Sequence, residues 1–76
     1  MHTGMLWFDN TPNLTLQNRI ENAVTYYRRK YRREPNLCLI NPSMLEKDQP
    51  VIGAMSIRPY RPVLPGHLWI GIEEQN

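Results

Sequence analysis

Residues 14–33 read LTLQNRIENAVTYYRRKYRR and carry a helical pattern around which the rest of the chain can be arranged. The apolar side chains recur at i, i+4, i+7, i+8, i+11 and i+15, counted from Leu16. At roughly 100° per residue they fill one arc about 100° wide, which is what a helix buries against one face of a sheet. The arc consists of Leu16, Ile20, Ala23, Val24, Tyr27 and Tyr31. We therefore predict one amphipathic helix that ends at Glu34, because Pro35 disfavours helical backbone at the residue before it.

Short apolar runs on both sides of this helix predict strands, over residues 5–9, 37–40, 51–58 and 67–73. Thr11, Asn13 and Thr15 are the three candidates for the helix N-cap. The order β-α-β-β predicts an α+β fold, with one amphipathic helix packed on a three- or four-stranded mixed sheet. We expect the last two strands to pair as a C-terminal β-hairpin, although their connection contains three prolines and is long and stiff.

Length and composition predict a single small domain over residues 1–76. The chain has a mass of 9.0 kDa and is 41% hydrophobic and 21% charged, which is the composition of a globular protein with one small core. Cys38 is the only cysteine, so no disulfide can form within the chain. The N-terminus lacks the pattern of a signal peptide, and no apolar run reaches the length of a membrane span. We expect a soluble, cytoplasmic protein without membrane contact.

A single helix covers only one face of a sheet, yet the predicted strands carry apolar side chains on both faces. In the first strand, Leu6 and Phe8 alternate with Met5 and Trp7. Our assignment of the face without a helix is Trp7, Cys38, Met55 and Trp69. Such a face is too apolar to stay bare on a small domain. Either the long loop and the chain ends fold over it, or it is the interface of a homodimer or of a complex with another protein, which we favour.

A dense basic run occupies the C-terminal end of the predicted helix. Five of the nine Lys and Arg residues lie between Tyr26 and Arg33, while the formal charge of the chain is only +2. Tyr26 falls outside the apolar arc, where it could stack on a nucleobase while the neighbouring cations hold phosphates. A solvated helix end stabilised by the macrodipole is the alternative interpretation. If the loop after residue 58 lies near this end, the nucleic-acid contacts would be Tyr26, Arg29, Lys30, Arg33, Arg58, Tyr60 and Arg61.

Catalytic, metal and cofactor sites have little support in the sequence. A thiol inside an apolar strand, as predicted for Cys38, is usually inert, and one cysteine with two histidines does not make a Cys/His metal cluster. The paired carboxylates, at residues 46/48 and 73/74, lie in polar or terminal sequence, and the four glycines are isolated from one another. We therefore expect a protein without enzymatic activity, cofactor or metal.

Three segments resemble small bacterial open reading frames of unknown function: YRRKYRREP at residues 27–35, Asn41-Pro42, and the C-terminal residues 58–71. The resemblance covers most of the chain from Met5 onward and implies a stand-alone prokaryotic domain with no known activity. It also implies that residues 1–4 are a flexible extension. It carries over no functional residue. The sequence thus predicts an interaction module, a homodimer or a subunit that uses the uncovered sheet face, with a nucleic-acid-binding accessory protein as the alternative.

Overall fold

The computed structural model of the protein describes residues 2–45 and 55–73. Within these residues the chain forms one helix and a four-stranded mixed sheet, which confirms the predicted α+β fold, although the order is β-α-β-β-β and so contains one strand more than the predicted β-α-β-β. The elements in chain order are β1 (His2–Phe8), α1 (Leu16–Tyr31), β2 (Leu37–Ile40), a 3₁₀ turn (Pro42–Met44), β3 (Ser56–Pro59) and β4 (His67–Glu73). Of the strand predicted over residues 51–58, residues 51–54 lie outside the described part of the chain.

The helix α1 has a well-defined signal at each end. The side chain of Thr15, one of the three predicted caps, accepts a hydrogen bond of 3.1 Å from the backbone N–H of Asn18. Arg32 ends the helix with a left-handed backbone (φ 54°), and its N–H donates to the carbonyl of Arg28. The helix therefore ends at Tyr31, before the predicted end at Glu34, and Arg32 rather than Pro35 terminates it.

The sheet has the strand order β1-β4-β2-β3, in which β4 is antiparallel to both of its neighbours and β3 is parallel to β2. The predicted C-terminal β-hairpin is therefore wrong, because β2 lies between β3 and β4. The prediction for residues 1–4 also needs correction, since β1 begins at His2, and residues 2–4 pair with β4 from Glu73 to Gly71.

The loop between β3 and β4 crosses the end of β2 instead of making a tight turn. The N–H of Tyr60 donates to the carbonyl of Ile40 at 2.7 Å, and the side-chain amide of Asn41 donates to the carbonyl of Val63 at 3.0 Å. Val63 is buried as a result, with only 6% of its surface exposed. These bonds carry the chain past β2, so that β4 can insert between β1 and β2.

The core lies between α1 and one face of the sheet. Five of the six predicted helix residues are buried, and Tyr31 remains 37% exposed while its ring contacts that of Tyr27. Apolar side chains from β2 and β4 complete the core cluster: Cys38, Ile40, Leu68 and Ile70. Because the strands pair in register, these residues share one face, and the side chains between them point to the other.

Candidate interaction surface

The sheet face opposite α1, called here the open face, is defined by the alternation of the strands. Cross-strand pairing places Leu6 opposite Trp69, Trp69 opposite Leu39, and Leu39 opposite Arg58, so one row runs across all four strands. Phe8 and His67 form the adjacent row on the same face, and their rings lie 4.7 Å apart. No helix in the described part of the chain covers this face.

Three of the four residues assigned to the open face from sequence lie on the helix side instead. Trp7 stacks on Tyr26 of α1, with 5.0 Å between ring centroids, and Cys38 is fully buried in the core cluster. Met55 packs against the same cluster, and only Trp69 lies where it was predicted. The error is one of register, since shifting a strand by one residue exchanges its faces.

Trp69 is half-buried on the open face because β1 offers it a glycine. A Cβ atom built on Gly4 would overlap the indole of Trp69 and come within 2.6 Å of the carbonyl oxygen of Ile70. The indole therefore lies against the backbone of β1 at a place where any side chain would displace it. Only glycine fits at residue 4 without a shift in Trp69 or in the β1–β4 ladder.

A groove of about 530 Å³ opens beside Trp69 towards β2 and β3. Its lining is mostly apolar and consists of Leu37, Leu39, Arg58, Pro59, Tyr60, Val63 and Trp69. The guanidinium of Arg58 contacts the carboxylate of Glu73 at 3.0 Å. The register places this ion pair across Leu37, which is only 1% exposed.

The opposite flank of the open face projects apolar side chains into solvent. Leu6 is 61% exposed and Phe8 is 55% exposed, both on the outer strand β1. The ring of Phe8 lies over Gly66, where a Cβ atom would sit 3.3 Å from it, so Phe8 is held against the loop. Leu6 is the more exposed of the two and is the most exposed large apolar side chain of the described strands. The open face thus has a ridge on β1 and a groove on β2 and β3.

The basic end of α1 is on the surface, and one of its cations, Arg28, is paired with a neighbouring carboxylate. Arg28 makes a two-pronged ion pair with Glu34, donating from Nε to both carboxylate oxygens at 2.9 and 2.7 Å. These hydrogen bonds hold the pKa of Glu34 below its ordinary value and raise that of Arg28. Tyr26 rests on Trp7 and is 44% exposed, which matches the interpretation in which it covers a strand.

The remaining cations at this end are Arg29, Lys30, Arg32 and Arg33, and all four are exposed. Within the described residues no carboxylate lies within ion-pair distance of them. Lys30 places its ammonium 5.4 Å from the centre of the Tyr31 ring. This end of the helix therefore carries a local positive charge that the described chain does not neutralise.

Arg58, Tyr60 and Arg61 do not extend this basic surface. The helix ends beside the start of β2. Tyr60 and Arg61 lie at the other end of β2, where the N–H of Tyr60 donates to the carbonyl of Ile40 and the side-chain amide of Asn41 donates to the carbonyl of Arg61. The length of β2 separates the two sites, and a four-residue strand spans about 13 Å. Arg58 is neutralised by Glu73. The expectation that the loop lies near the basic helix end is therefore wrong.

The other candidates from sequence are the metal ligands, the Cys38 thiol and the paired carboxylates. No group of three or more His, Cys, Asp and Glu side chains within residues 2–45 and 55–73 could hold a metal ion. Burial raises the pKa of the Cys38 thiol to about 12, so the nucleophilic thiolate is scarce at neutral pH. The paired carboxylates predicted at residues 46/48 and 73/74 fall wholly or partly outside the described residues. Of the described helices, none is long and apolar enough to cross a membrane.

The chain was compared with protein-family models, with curated proteins and with solved structures, and none of them matches it. The resemblance to small bacterial open reading frames therefore stays a prediction. The open face and the basic helix end are the two surfaces from which a function can be inferred.

Proposed function

We propose that the protein is a non-catalytic interaction module that forms a homodimer by stacking the open faces of two copies. The observation that carries this proposal is the unequal covering of the sheet. One face is sealed by α1, whereas the other exposes Leu6 and Phe8 beside an apolar groove. Exposed apolar surface of this kind on a small domain marks an interaction site.

A second copy fits this surface because the face carries no uncompensated charge in its strand rows. Arg58 and Glu73 neutralise each other within one copy. Two identical faces can then approach without like-charge repulsion, as a two-fold interface requires. The concentrated cations of Arg29 and Arg33 lie at the end of the helix layer, away from the stacked sheets. The charge distribution therefore permits self-association through the open face.

The size of the face predicts a weak dimer. Two strands of seven residues and two of four residues, about 23 Å and 13 Å long and spaced about 4.8 Å apart, present at most roughly 350 Å² of sheet plane per copy. Two copies together would bury on the order of 700 Å², which is the size of a weak, transient contact. We expect a dissociation constant in the micromolar range or above, so the protein exchanges between monomer and dimer.

A charge placed on the apolar ridge of the open face tests this proposal. Leu6→Lys should abolish the dimer, because both copies would bring an unpaired ammonium into an apolar contact. Asn22→Lys is the matched control, since Asn22 is exposed on α1 and the substitution adds the same charge. The readout is the weight-average mass in sedimentation velocity, with the free energy of unfolding measured on the same variants. Equal dimer formation by both variants would refute the role of the open face.

Nucleic-acid binding is the second candidate, favoured by the cations that lack a described carboxylate partner. Arg29→Glu combined with Arg33→Glu should abolish binding to labelled oligonucleotides in fluorescence anisotropy if this function is real. Wild-type binding should then weaken steeply as salt rises, since each neutralised phosphate releases counterions. An absence of wild-type binding at low salt would remove this candidate. The separation of Arg61 from the basic helix end makes it the weaker of the two proposals.

A further inference from the structure

Building on the proposed dimer, we infer that Leu6 of each copy sits in the groove of the other copy. The two features lie on opposite flanks of the same face. Leu6 projects from β1, the outer strand on one side, and the groove lies over β2 and β3 on the other side. With about 4.8 Å between neighbouring strands, β1 and β2 are roughly 10 Å apart across the sheet. The face is therefore a ridge and a groove side by side.

The ridge and the groove also lie at the same level along the strands. Leu6 pairs with Trp69, Trp69 with Leu39, and Leu39 with Arg58. Three members of this row, Trp69, Leu39 and Arg58, line the groove. Leu6 is thus displaced from the groove sideways and not along the strand direction.

Two-fold symmetry turns this arrangement into complementarity. An axis that lies between the stacked sheets, runs parallel to the strands and passes over Trp69 of β4 places β1 of each copy over β2 of the other and preserves the level along the strand. Leu6 of one copy then lies over Leu39 of the other, and the reciprocal contact forms at the same time. Stacked sheets are about 10 Å apart, which leaves room for one layer of interdigitated side chains. A groove of about 530 Å³ can accept the projecting leucine.

Pairing of two copies along the β1 edge is the competing arrangement. β1 is an outer strand of seven residues and contains no proline or Lys, Arg, Asp or Glu residue to protect its edge. Edge pairing would extend the sheet but leave the groove and much of the ridge in solvent. The stacked arrangement covers both, and for that reason we choose it.

Cross-linking between two variants, each with one added cysteine, distinguishes the arrangements. Leu6→Cys and Leu39→Cys proteins of different mass are mixed at a concentration where sedimentation detects dimer, then treated with a bismaleimide whose arm spans about 10 Å, the spacing of stacked sheets. The native Cys38 is fully buried and should stay unreacted. We expect covalent heterodimers from the mixture. Leu6→Cys alone should give little product, because the two Leu6 positions would be roughly 14 Å apart, from 10 Å sideways and 10 Å between sheets.

The controls separate this inference from the proposed function. Asn22→Cys mixed with Leu39→Cys reports collisional cross-linking, and Tyr60→Cys replaces Leu39→Cys if the latter variant fails to fold. Product from Leu6→Cys alone would show edge pairing and overturn the inference while the homodimer stands. A sedimenting dimer with no Leu6–Leu39 product above the collisional level would also overturn it. A monomer at every concentration would instead refute the proposed function.

Discussion

Replacing Gly4 with alanine tests the packing of the open face, because two general effects predict opposite signs. In the interior of a strand, alanine is favoured over glycine by about 0.5–1 kcal/mol, since glycine loses more backbone entropy on folding. In this structure the added methyl would collide with the Trp69 indole and with the backbone carbonyl of Ile70. Propensity alone predicts a more stable protein, whereas the structure predicts a less stable one.

The magnitude follows from which atoms must move. Overpacking costs about 1–3 kcal/mol, and the upper part of that range applies when a backbone atom blocks the way. The Ile70 carbonyl belongs to β4, which is paired on both sides, so it cannot retreat without weakening the sheet. After the gain from propensity is subtracted, Gly4→Ala should lower the free energy of unfolding by about 2 kcal/mol. For a domain of this size that corresponds to a fall of about 8–16 °C in Tm.

The assay is chemical denaturation of the wild-type protein, Gly4→Ala, Trp69→Leu and the double variant. In the double variant the indole is absent, so the penalty of Gly4→Ala should shrink by at least about 0.5 kcal/mol, the lower limit for residues in contact. Trp7 remains as the fluorescent reporter in both Trp69 variants. A Gly4→Ala protein as stable as wild type, or more stable, would refute the packing of Trp69 on Gly4 and the register between β1 and β4.

Three further predictions concern other contacts of the fold. Arg28→Ala should return the pKa of Glu34 to its ordinary value in a carbon-detected NMR titration. Because the pKa of Glu34 is lowered in the folded wild-type protein, the ion pair stabilises the fold at pH values above the pKa of Glu34 in the unfolded chain. This stabilisation is lost as the pH falls through the pKa of Glu34 in the folded protein. Cys38 should not react with an aromatic disulfide reagent at pH 8 until the protein unfolds, and rapid reaction of the native protein would contradict its burial. Arg19→Ala should cost about 2 kcal/mol of unfolding free energy, because the guanidinium donates a 2.5 Å hydrogen bond to the carbonyl of Asp9; an unchanged denaturation midpoint would show that this contact adds nothing.

The fold class could be predicted from sequence because the helix and the four strands have local signals. The arc from Leu16 to Tyr27 is buried as its spacing indicates, and Thr15 caps the helix. Strand order has no such local signal, and the hairpin prediction assumed that consecutive strands pair. The eight-residue connection with its three prolines was the available warning, since hairpins favour loops of two to five residues.

The candidate site could be predicted only as a class of surface and not residue by residue. In β1, Leu6 and Phe8 alternate with Met5 and Trp7, and all four are apolar, so no polar residue marks the solvent side. The choice depends on long-range contacts, in which Trp7 meets a helix residue, Tyr26. The alternation of side chains along the strands predicted an apolar face away from the helix. The positions of its ridge on β1 and its groove on β2 and β3 depend on the strand order, which the sequence does not indicate.

Sedimentation velocity of the wild-type chain over roughly 10 µM to 1 mM, where an interface of this size should dissociate, shows whether two copies associate. Stacking through the open face predicts a weight-average mass that rises from 9.0 kDa towards twice that value as concentration increases. The rise should persist in high salt, because the open face is apolar and its one ion pair lies within each copy. A constant mass of 9.0 kDa over the whole range would contradict the proposal that two copies stack through the open face.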